Sequence, residues 1–202
     1  MSRLSRRTIL ALCLANAGAV AAAGLVPAAR RDAPRVRALE PGPLTPALGP
    51  TEARRVLAFY FDYNCPYCRA VNGLLRPLAG RNPQLRILYK QFPVLSDDSE
   101  TAARIALSAA LRGRFFEAHE RLMRHSGDYT GAVATAVARA LGFDPNAFRH
   151  DMGDPRITAE IRENLADAQA LGIQGTPGLV TAHALAEGGQ DLGQLQALID
   201  AV

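Results

Sequence analysis

The sequence predicts an α/β domain that contains an all-helical insertion. Two short apolar runs, Val56–Phe61 and Leu85–Phe92, have the length and the aliphatic and aromatic content of buried strands. Between them, apolar residues recur at helical spacing over residues 70–78, which gives a strand–helix–strand unit. Residues 97–171 then show only helical patterns, before a short apolar stretch at 178–181 supplies a further strand.

Residues 1–29 have the layout of a secretory signal peptide. A basic start with three arginines precedes an apolar run from Ile9 to Val26, and small residues after it offer cleavage points. The stretch Ser5–Leu10 (SRRTIL) resembles a twin-arginine export signal, although ordinary export signals also contain paired arginines. The apolar run is also about the minimum length that spans a bilayer, so an uncleaved inner-membrane anchor facing outward stays open. Either reading predicts a periplasmic or secreted domain.

Residues 30–50 are predicted to form a proline-rich linker or arm, since they contain five prolines and no apolar periodicity. Residues 51–202 are predicted to form the folded domain, and a hydrophobic content of 49% provides for a core. Without the leader the formal net charge falls from +4 to +1, and no basic tract contains interleaved aromatic residues. Nucleic-acid binding is therefore not predicted.

Helix signals bound most of the remaining elements. Pro77 is expected to kink or end the helix after the first strand. Asp97, Asp98 and Ser99 offer N-caps to the first helix of the insertion, and Asp191 is predicted to cap a C-terminal helix. The five helices of the insertion are predicted near residues 102–111, 115–123, 132–141, 146–152 and 157–171.

Cys65 and Cys68 flank Pro66 and Tyr67 directly after the first strand. The thiolate is the reactive form of cysteine, and its ordinary pKa of ~8.5 means that the surroundings must stabilise negative charge at neutral pH. The N-terminus of a helix does so through unpaired N–H groups and the positive end of its dipole. Proline suits the first helical position because no hydrogen bond is lost there. The spacing therefore predicts a redox-active dithiol at a helix start.

Two other interpretations of the cysteine pair compete with the redox one. A structural disulfide over two intervening residues would remove little chain entropy, and the third cysteine, Cys13, lies in the leader. A zinc site would need two more ligands, but the four histidines form no paired motif and are expected on the surface or in packing. These histidines are His119, His125, His150 and His183.

The stretch FDYNCPYC at residues 61–68 is followed about a hundred residues later by GTP at 175–177, with the helical block between them. This combination resembles the DsbA-like branch of the thioredoxin superfamily, and within it the periplasmic or secreted proteins whose active site is C-P-Y-C. The segment QFPVLSDDSETAARIAL at 91–107 resembles the strand exit and first inserted helix of that branch. The resemblance extends from Val56 to the C-terminus and implies a thioredoxin fold.

The resemblance also implies roles for individual residues. Cys65 would be the exposed nucleophile and Cys68 the buried resolving thiol, with Pro66 and Tyr67 supporting the site. Pro177 would be a cis-proline that faces the disulfide and leaves the backbone of Thr176 free to pair with a substrate chain.

The sequence departs from the thioredoxin pattern at Phe59, where relatives often carry a buried acid six residues before the first cysteine. Asp62 is expected to replace that acid only in part. Lys90, the one lysine among 23 basic residues, lies on the strand beside the site. It is expected either to tune the thiols or to be an exposed edge residue. Arg69 is expected to be solvent-exposed.

The predicted function is thiol–disulfide exchange on exported proteins, in the oxidase or the isomerase direction. The predicted partners are exported proteins with thiols or disulfides and a membrane redox partner, in an oligomeric state left open. No metal and no cofactor are expected. Two alternatives stay open: a membrane-tethered thioredoxin-like reductase for a dedicated client, and a non-catalytic metal-binding module with a thioredoxin fold.

Overall fold

The computed structural model describes residues 28–201. Almost all of the predicted leader, including Cys13 and the twin-arginine stretch, lies outside these residues. None of the helices formed by residues 28–201 has both the length and the apolar character needed to span a bilayer.

A five-stranded mixed sheet forms the centre of the domain. Its order is β1-β3-β2-β4-β5, in which β2 and β3 are parallel and the other neighbours are antiparallel. The strands are β1 (Ala47–Leu48), β2 (Arg55–Phe61), β3 (Leu85–Gln91), β4 (Gly178–Val180) and β5 (Leu185–Glu187). The two long strands are those predicted from the sequence, whereas β1 and β5 are too short to produce a pattern.

Eight helices are formed by the residues that the structure describes. Five of them follow one another between β3 and β4 with no strand among them, so the all-helical insertion is confirmed. The helices are α1 (Ala28–Ala38), α2 (Pro66–Arg81), α3 (Ser99–Ala110), α4 (Phe115–Arg124), α5 (Gly131–Ala140), α6 (Pro145–Asp151), α7 (Pro155–Leu171) and α8 (Leu192–Asp200).

The central strands are buried on both faces, which is why they read as continuous apolar runs. Phe59, Phe61 and Tyr89 point to one face, where they pack with both cysteines and with apolar residues of α2, α3, α4 and α8. Tyr60 and Leu88 point to the opposite face, where α7 contributes Ala168. The sheet therefore separates the cysteines from the surroundings of α7.

The prediction of a linker over residues 30–50 is wrong for its later part. The segment contains most of α1 and the strand β1, and β1 pairs with β3. The buried carboxylate of Glu160 accepts hydrogen bonds from the Thr45 hydroxyl and from the Leu44 N–H, the latter at 3.3 Å. Leu44 and Ala47 also pack against the core, but they follow no helical or strand period, so a search for apolar periodicity misses the segment.

Pro77 does not end α2, since the helix continues to Arg81. A proline inside a helix costs about 3 kcal/mol because it removes one hydrogen bond and crowds the preceding turn. Leu75 and Leu78, on either side of the proline, are fully buried in the core. Burial of two leucine side chains at about 1.5–3 kcal/mol each offsets that cost.

Candidate active site

The dithiol lies at the start of α2. Cys65 is the N-cap residue and Pro66 occupies the first turn, as the spacing predicted. The Cys68 N–H donates to Cys65 Sγ across 3.4 Å, and both cysteines are free thiols. Cys65 Sγ therefore lies at the positive end of the helix dipole, in contact with an N–H group that stabilises a thiolate.

Both thiols are buried, with 3% of Cys65 and none of Cys68 exposed. The expectation of an exposed nucleophile is thus wrong for Cys65, because the loop before β4 lies against its sulfur atom. Burial raises the pKa of Cys68 far above its ordinary value, and the neighbouring Cys65 adds to this rise. The nearby Asp62 backbone and Thr176 side chain act in the opposite direction. Cys68 is therefore a neutral thiol at physiological pH.

The loop before β4 brings Thr176 and Pro177 opposite the cysteines. The Thr176–Pro177 peptide bond is cis, and the Cys65 thiol donates to the Thr176 carbonyl oxygen across 3.3 Å. The Thr176 hydroxyl is buried and has no hydrogen-bond partner among the described residues. Glu187 holds the preceding part of the loop by accepting from the Gln174 N–H at 2.6 Å and from the Gly175 N–H.

Pro66 and Tyr67 form the exposed side of the dithiol loop. Tyr67 has 62% of its surface exposed and is one of few large apolar side chains so placed. Its ring lies against the backbone of Gly189, where an added Cβ would come within 3.1 Å of Tyr67 Cδ1. Tyr67 thus connects the cysteine loop to the turn after β5.

Asp62 organises the turn before Cys65. It is buried, and Oδ1 accepts from the Asn64 N–H at 2.8 Å and from the Ser99 hydroxyl at 2.9 Å. Its Oδ2 accepts from the N–H groups of Val94 and Leu95 at 2.8 and 3.0 Å. All four contacts are directed at the carboxylate, so its acceptor capacity is used to hold the turn.

Lys90 lies away from the thiols, on the opposite face of the sheet. It shares that face with Tyr60, because strand residues alternate and the two are paired in register. Its ammonium donates to the Glu40 carbonyl oxygen at 3.0 Å, and only 3% of the residue is exposed. Burial lowers the pKa of Lys90, and the carboxylates of Glu160 and Asp167 partly counter this. Lys90 is neither an exposed edge residue nor a neighbour of the cysteines.

Phe59, at the position where relatives often carry an acid, is fully buried and stacks on Phe61 with ring centroids 4.9 Å apart. An apolar aromatic cluster thus replaces a carboxylate beneath the dithiol. Within residues 28–201 no three His, Cys, Asp or Glu side chains are grouped so that they could hold a metal ion.

Two residues near the site, Tyr63 and His119, are not identified from the sequence as parts of it. The Tyr63 hydroxyl lies 2.9 Å from His119 Nδ1, and the Tyr63 carbonyl accepts from the Arg69 guanidinium at 2.9 Å. Arg69 is half-buried by this contact rather than fully exposed. The only sequence signal for His119 is its position within the apolar stripe of α4, beside Phe115 and Leu122.

A model of the DSBA-like thioredoxin domain family matches residues 56–200. A thioredoxin-like oxidoreductase from Silicibacter pomeroyi is 37% identical, with a TM-score of 0.74 over 79% of this chain and 92% of that one. A periplasmic thioredoxin-like protein from Salmonella enterica is 28% identical, with a TM-score of 0.71 over 81% and 92%. The catalytic domain of Proteus mirabilis ScsC is 27% identical, with a TM-score of 0.73 over 84% and 95%.

The chain also matches parts of much longer curated proteins. It is 30% identical over 131 residues to the Na(+)/H(+) antiporter NhaA 1 of Salinispora arenicola, which is 64% of this chain but 20% of that protein. The match to NhaA 3 of Salinispora tropica is similar, at 29% identity. The chain thus spans about a fifth of the length of these relatives. Because the family model covers residues 56–200, the protein belongs to the DSBA-like thioredoxin domain family.

Proposed function

We propose that the protein exchanges thiols and disulfides of exported proteins through Cys65 and Cys68. The observation that carries this proposal is the position of Cys65 Sγ, between the Cys68 N–H at 3.4 Å and the Thr176 carbonyl at 3.3 Å. The first contact favours the thiolate, which is the attacking and the leaving form in disulfide exchange. The second contact keeps the sulfur atom beside the backbone on which a substrate chain would pair.

The proposed reduction of a substrate disulfide has two steps. The Cys65 thiolate attacks one substrate sulfur, the substrate S–S bond breaks, and a mixed disulfide forms while the first substrate thiolate leaves. Cys68 then attacks Cys65 Sγ, giving the Cys65–Cys68 disulfide and releasing the second substrate thiol, which takes up the Cys68 proton. Two electrons have passed from the protein to the substrate. Oxidation of a substrate dithiol is the same sequence in reverse.

The neutral, buried state of Cys68 supports its proposed role as the resolving thiol. A thiol whose pKa is raised by burial does not compete with Cys65 for an incoming disulfide. Cys68 becomes reactive once a mixed disulfide places a sulfur–sulfur bond next to it. Position 59 carries phenylalanine and not an acid. The nearby Asp62 backbone and Thr176 side chain are the groups that lower the pKa of Cys68.

We propose that the protein is exported and that this chemistry takes place in an oxidising compartment, either the periplasm or the cell exterior. The support comes from the leader at residues 1–29 and from the similarity to a periplasmic protein of Salmonella enterica. A membrane redox partner would then supply or remove the two electrons of each cycle. Cell fractionation with and without added protease distinguishes a released domain from one that stays anchored.

Insulin reduction tests the proposed reaction. The wild-type protein should accelerate reduction of insulin disulfides by dithiothreitol, and Cys65→Ser should abolish this acceleration. Cys68→Ser, a matched change of the second thiol, should instead accumulate a mixed disulfide with the substrate. Acceleration that survives Cys65→Ser would contradict the proposal.

The direction of exchange depends on the reduction potential of the pair. Equilibration of the Cys65–Cys68 dithiol with glutathione buffers of graded composition measures it. A strongly oxidising potential identifies an oxidase, and a strongly reducing one a reductase. Refolding of a scrambled multi-disulfide substrate then tests isomerase activity separately.

A further inference from the structure

Asp62, Tyr63 and Asn64 form the turn that leads into Cys65. Each of them is held by the helical insertion or by the segment between β3 and α3. The Asp62 carboxylate binds the segment before α3, and the Asn64 side chain donates to Ser96 at 2.7 Å and to Ser99 at 3.0 Å. Between them, Tyr63 is held at both its ends. Its carbonyl accepts from Arg69 at 2.9 Å and from the Tyr129 hydroxyl at 3.2 Å.

The side chain of Tyr63 enters a hydrogen-bond network that consists of the buried residues Tyr63, His119 and Asn72 and the half-buried Glu120. Tyr63 OH lies 2.9 Å from His119 Nδ1, and His119 Nε2 lies 2.8 Å from Asn72 Oδ1. The Asn72 amide then donates to Glu120 at 3.3 Å. The network joins the turn before Cys65 to the second turn of α2, and both of these to α4.

The protonation state of the network follows from its members. His119 is fully buried, and burial, reinforced by the Arg76 charge, lowers its pKa to about 3, so the ring is neutral and carries one N–H. Asn72 Oδ1 accepts only, which assigns this proton to Nε2 and leaves Nδ1 as an acceptor. Burial raises the pKa of Tyr63, so its hydroxyl keeps its proton and donates to Nδ1. Each link has one donor and one acceptor.

We propose that Tyr63 and His119 are positioning residues for disulfide exchange, which hold the turn before Cys65 and the helix after it in one fixed relation. The inference rests on the proposed reaction at Cys65. Cys65 Sγ gains its thiolate-stabilising contact, the 3.4 Å hydrogen bond from the Cys68 N–H, where the turn and α2 meet. A displacement of the turn relative to α2 therefore weakens this contact. Neither Tyr63 nor His119 touches the reacting sulfur atoms in this assignment.

Tyr63→Phe is the sharpest test, because it removes one hydroxyl and leaves the ring in place. The measurement is the pH profile of Cys65 alkylation by iodoacetamide in the reduced protein, which needs no substrate. We expect the profile midpoint of Tyr63→Phe to rise by about one pH unit, which corresponds to about tenfold slower alkylation at a pH below both midpoints. Turnover of insulin should fall as well.

Tyr89→Phe is the matched control. Tyr89 belongs to the same buried cluster and its ring also contacts His119, with centroids 5.1 Å apart, but its hydroxyl is not part of the network. It should leave the midpoint unchanged. An equal shift in Tyr63→Phe and Tyr89→Phe, or no shift in either, would overturn the proposal.

His119 variants provide a second, independent comparison. Glutamine can accept from Tyr63 and donate to Asn72, so His119→Gln should retain most of the wild-type midpoint. His119→Leu should shift it as Tyr63→Phe does. If His119→Leu fails to fold, the Tyr63→Phe and His119→Gln profiles still decide the question. Failure of the wild-type protein to reduce insulin would refute the proposed function, whereas an unshifted Tyr63→Phe profile in an active protein refutes only the positioning role.

Discussion

Acid sensitivity of the fold should depend on His119. The side chain is fully buried, and its pKa lies at about 3 in the folded protein against 6.5 for the ordinary group. Between these values the unfolded chain binds a proton at this position that the folded chain does not bind. The stabilisation is therefore complete above the pKa of the unfolded state and is lost as pH falls through 6.5 towards about 3.

The size of the effect follows from the same two pKa values. Linkage gives a loss of about 3 kcal/mol in the free energy of unfolding between pH 7 and pH 4 from this one residue. Such a loss is a large fraction of the ~5–15 kcal/mol that stabilises a typical domain. His119→Gln, which does not titrate in this range, should lack this component.

Urea unfolding of both proteins at these two pH values measures the component. The sequence contains no tryptophan, so far-ultraviolet circular dichroism is the suitable signal. We expect the wild type to lose about 3 kcal/mol more than His119→Gln on acidification. Parallel losses in the two proteins would refute the assignment of a neutral, buried histidine. Tyr89→Phe serves as a control, because it should behave as the wild type does.

Three further predictions concern residues at or near the thiols. In Cys65→Ser, the remaining Cys68 should resist iodoacetamide at neutral pH because burial raises its pKa, whereas Cys65 in Cys68→Ser should react. Mass spectrometry of the labelled proteins distinguishes the two outcomes. Rapid labelling of Cys68 would contradict its burial. Lys90→Met should leave the alkylation profile of Cys65 unchanged because Lys90 lies on the other face of the sheet, and a shifted profile would show that it reaches the thiols. Asp62→Asn should destabilise the protein by about 1–3 kcal/mol in urea unfolding, because an amide cannot accept all four hydrogen bonds. The adjacent-loop change Asp97→Asn should cost little, and an equal cost for both variants would contradict the role of the Asp62 carboxylate.

The elements that could be predicted from the sequence are those with a strong local pattern. The strands β2 and β3 are continuous apolar runs, and α2 starts at a proline directly after a cysteine. Asp191, predicted as an N-cap, likewise begins α8, where it forms a capping box with Gln194. Each of these signals lies within one short segment of the chain.

The features that were missed depend on contacts between distant segments. The part of the predicted linker around Leu44 is held by Glu160, more than a hundred residues away, and its sequence contains no trace of that partner. His119 is a polar residue on an apolar helix face, and only the fold brings Tyr63 and Asn72 to its two ring nitrogens. Lys90 is expected from the sequence either to tune the thiols or to be an exposed edge residue, but strand alternation directs its side chain to the opposite face, where it is buried.

The burial of Cys65 has a consequence for how the protein withstands oxidants. Oxidation of a cysteine to sulfenic and sulfinic acid depends on thiolate character and on solvent exposure. Cys65 has the helix-start environment of a thiolate, but 97% of its surface is covered, in part by the loop that contains Thr176. Small reagents such as peroxide and iodoacetamide therefore reach Cys65 more slowly than they would reach a fully exposed thiolate, whereas a protein segment that displaces or pairs with that loop gains full access. Shielding of this kind slows irreversible oxidation of the nucleophile.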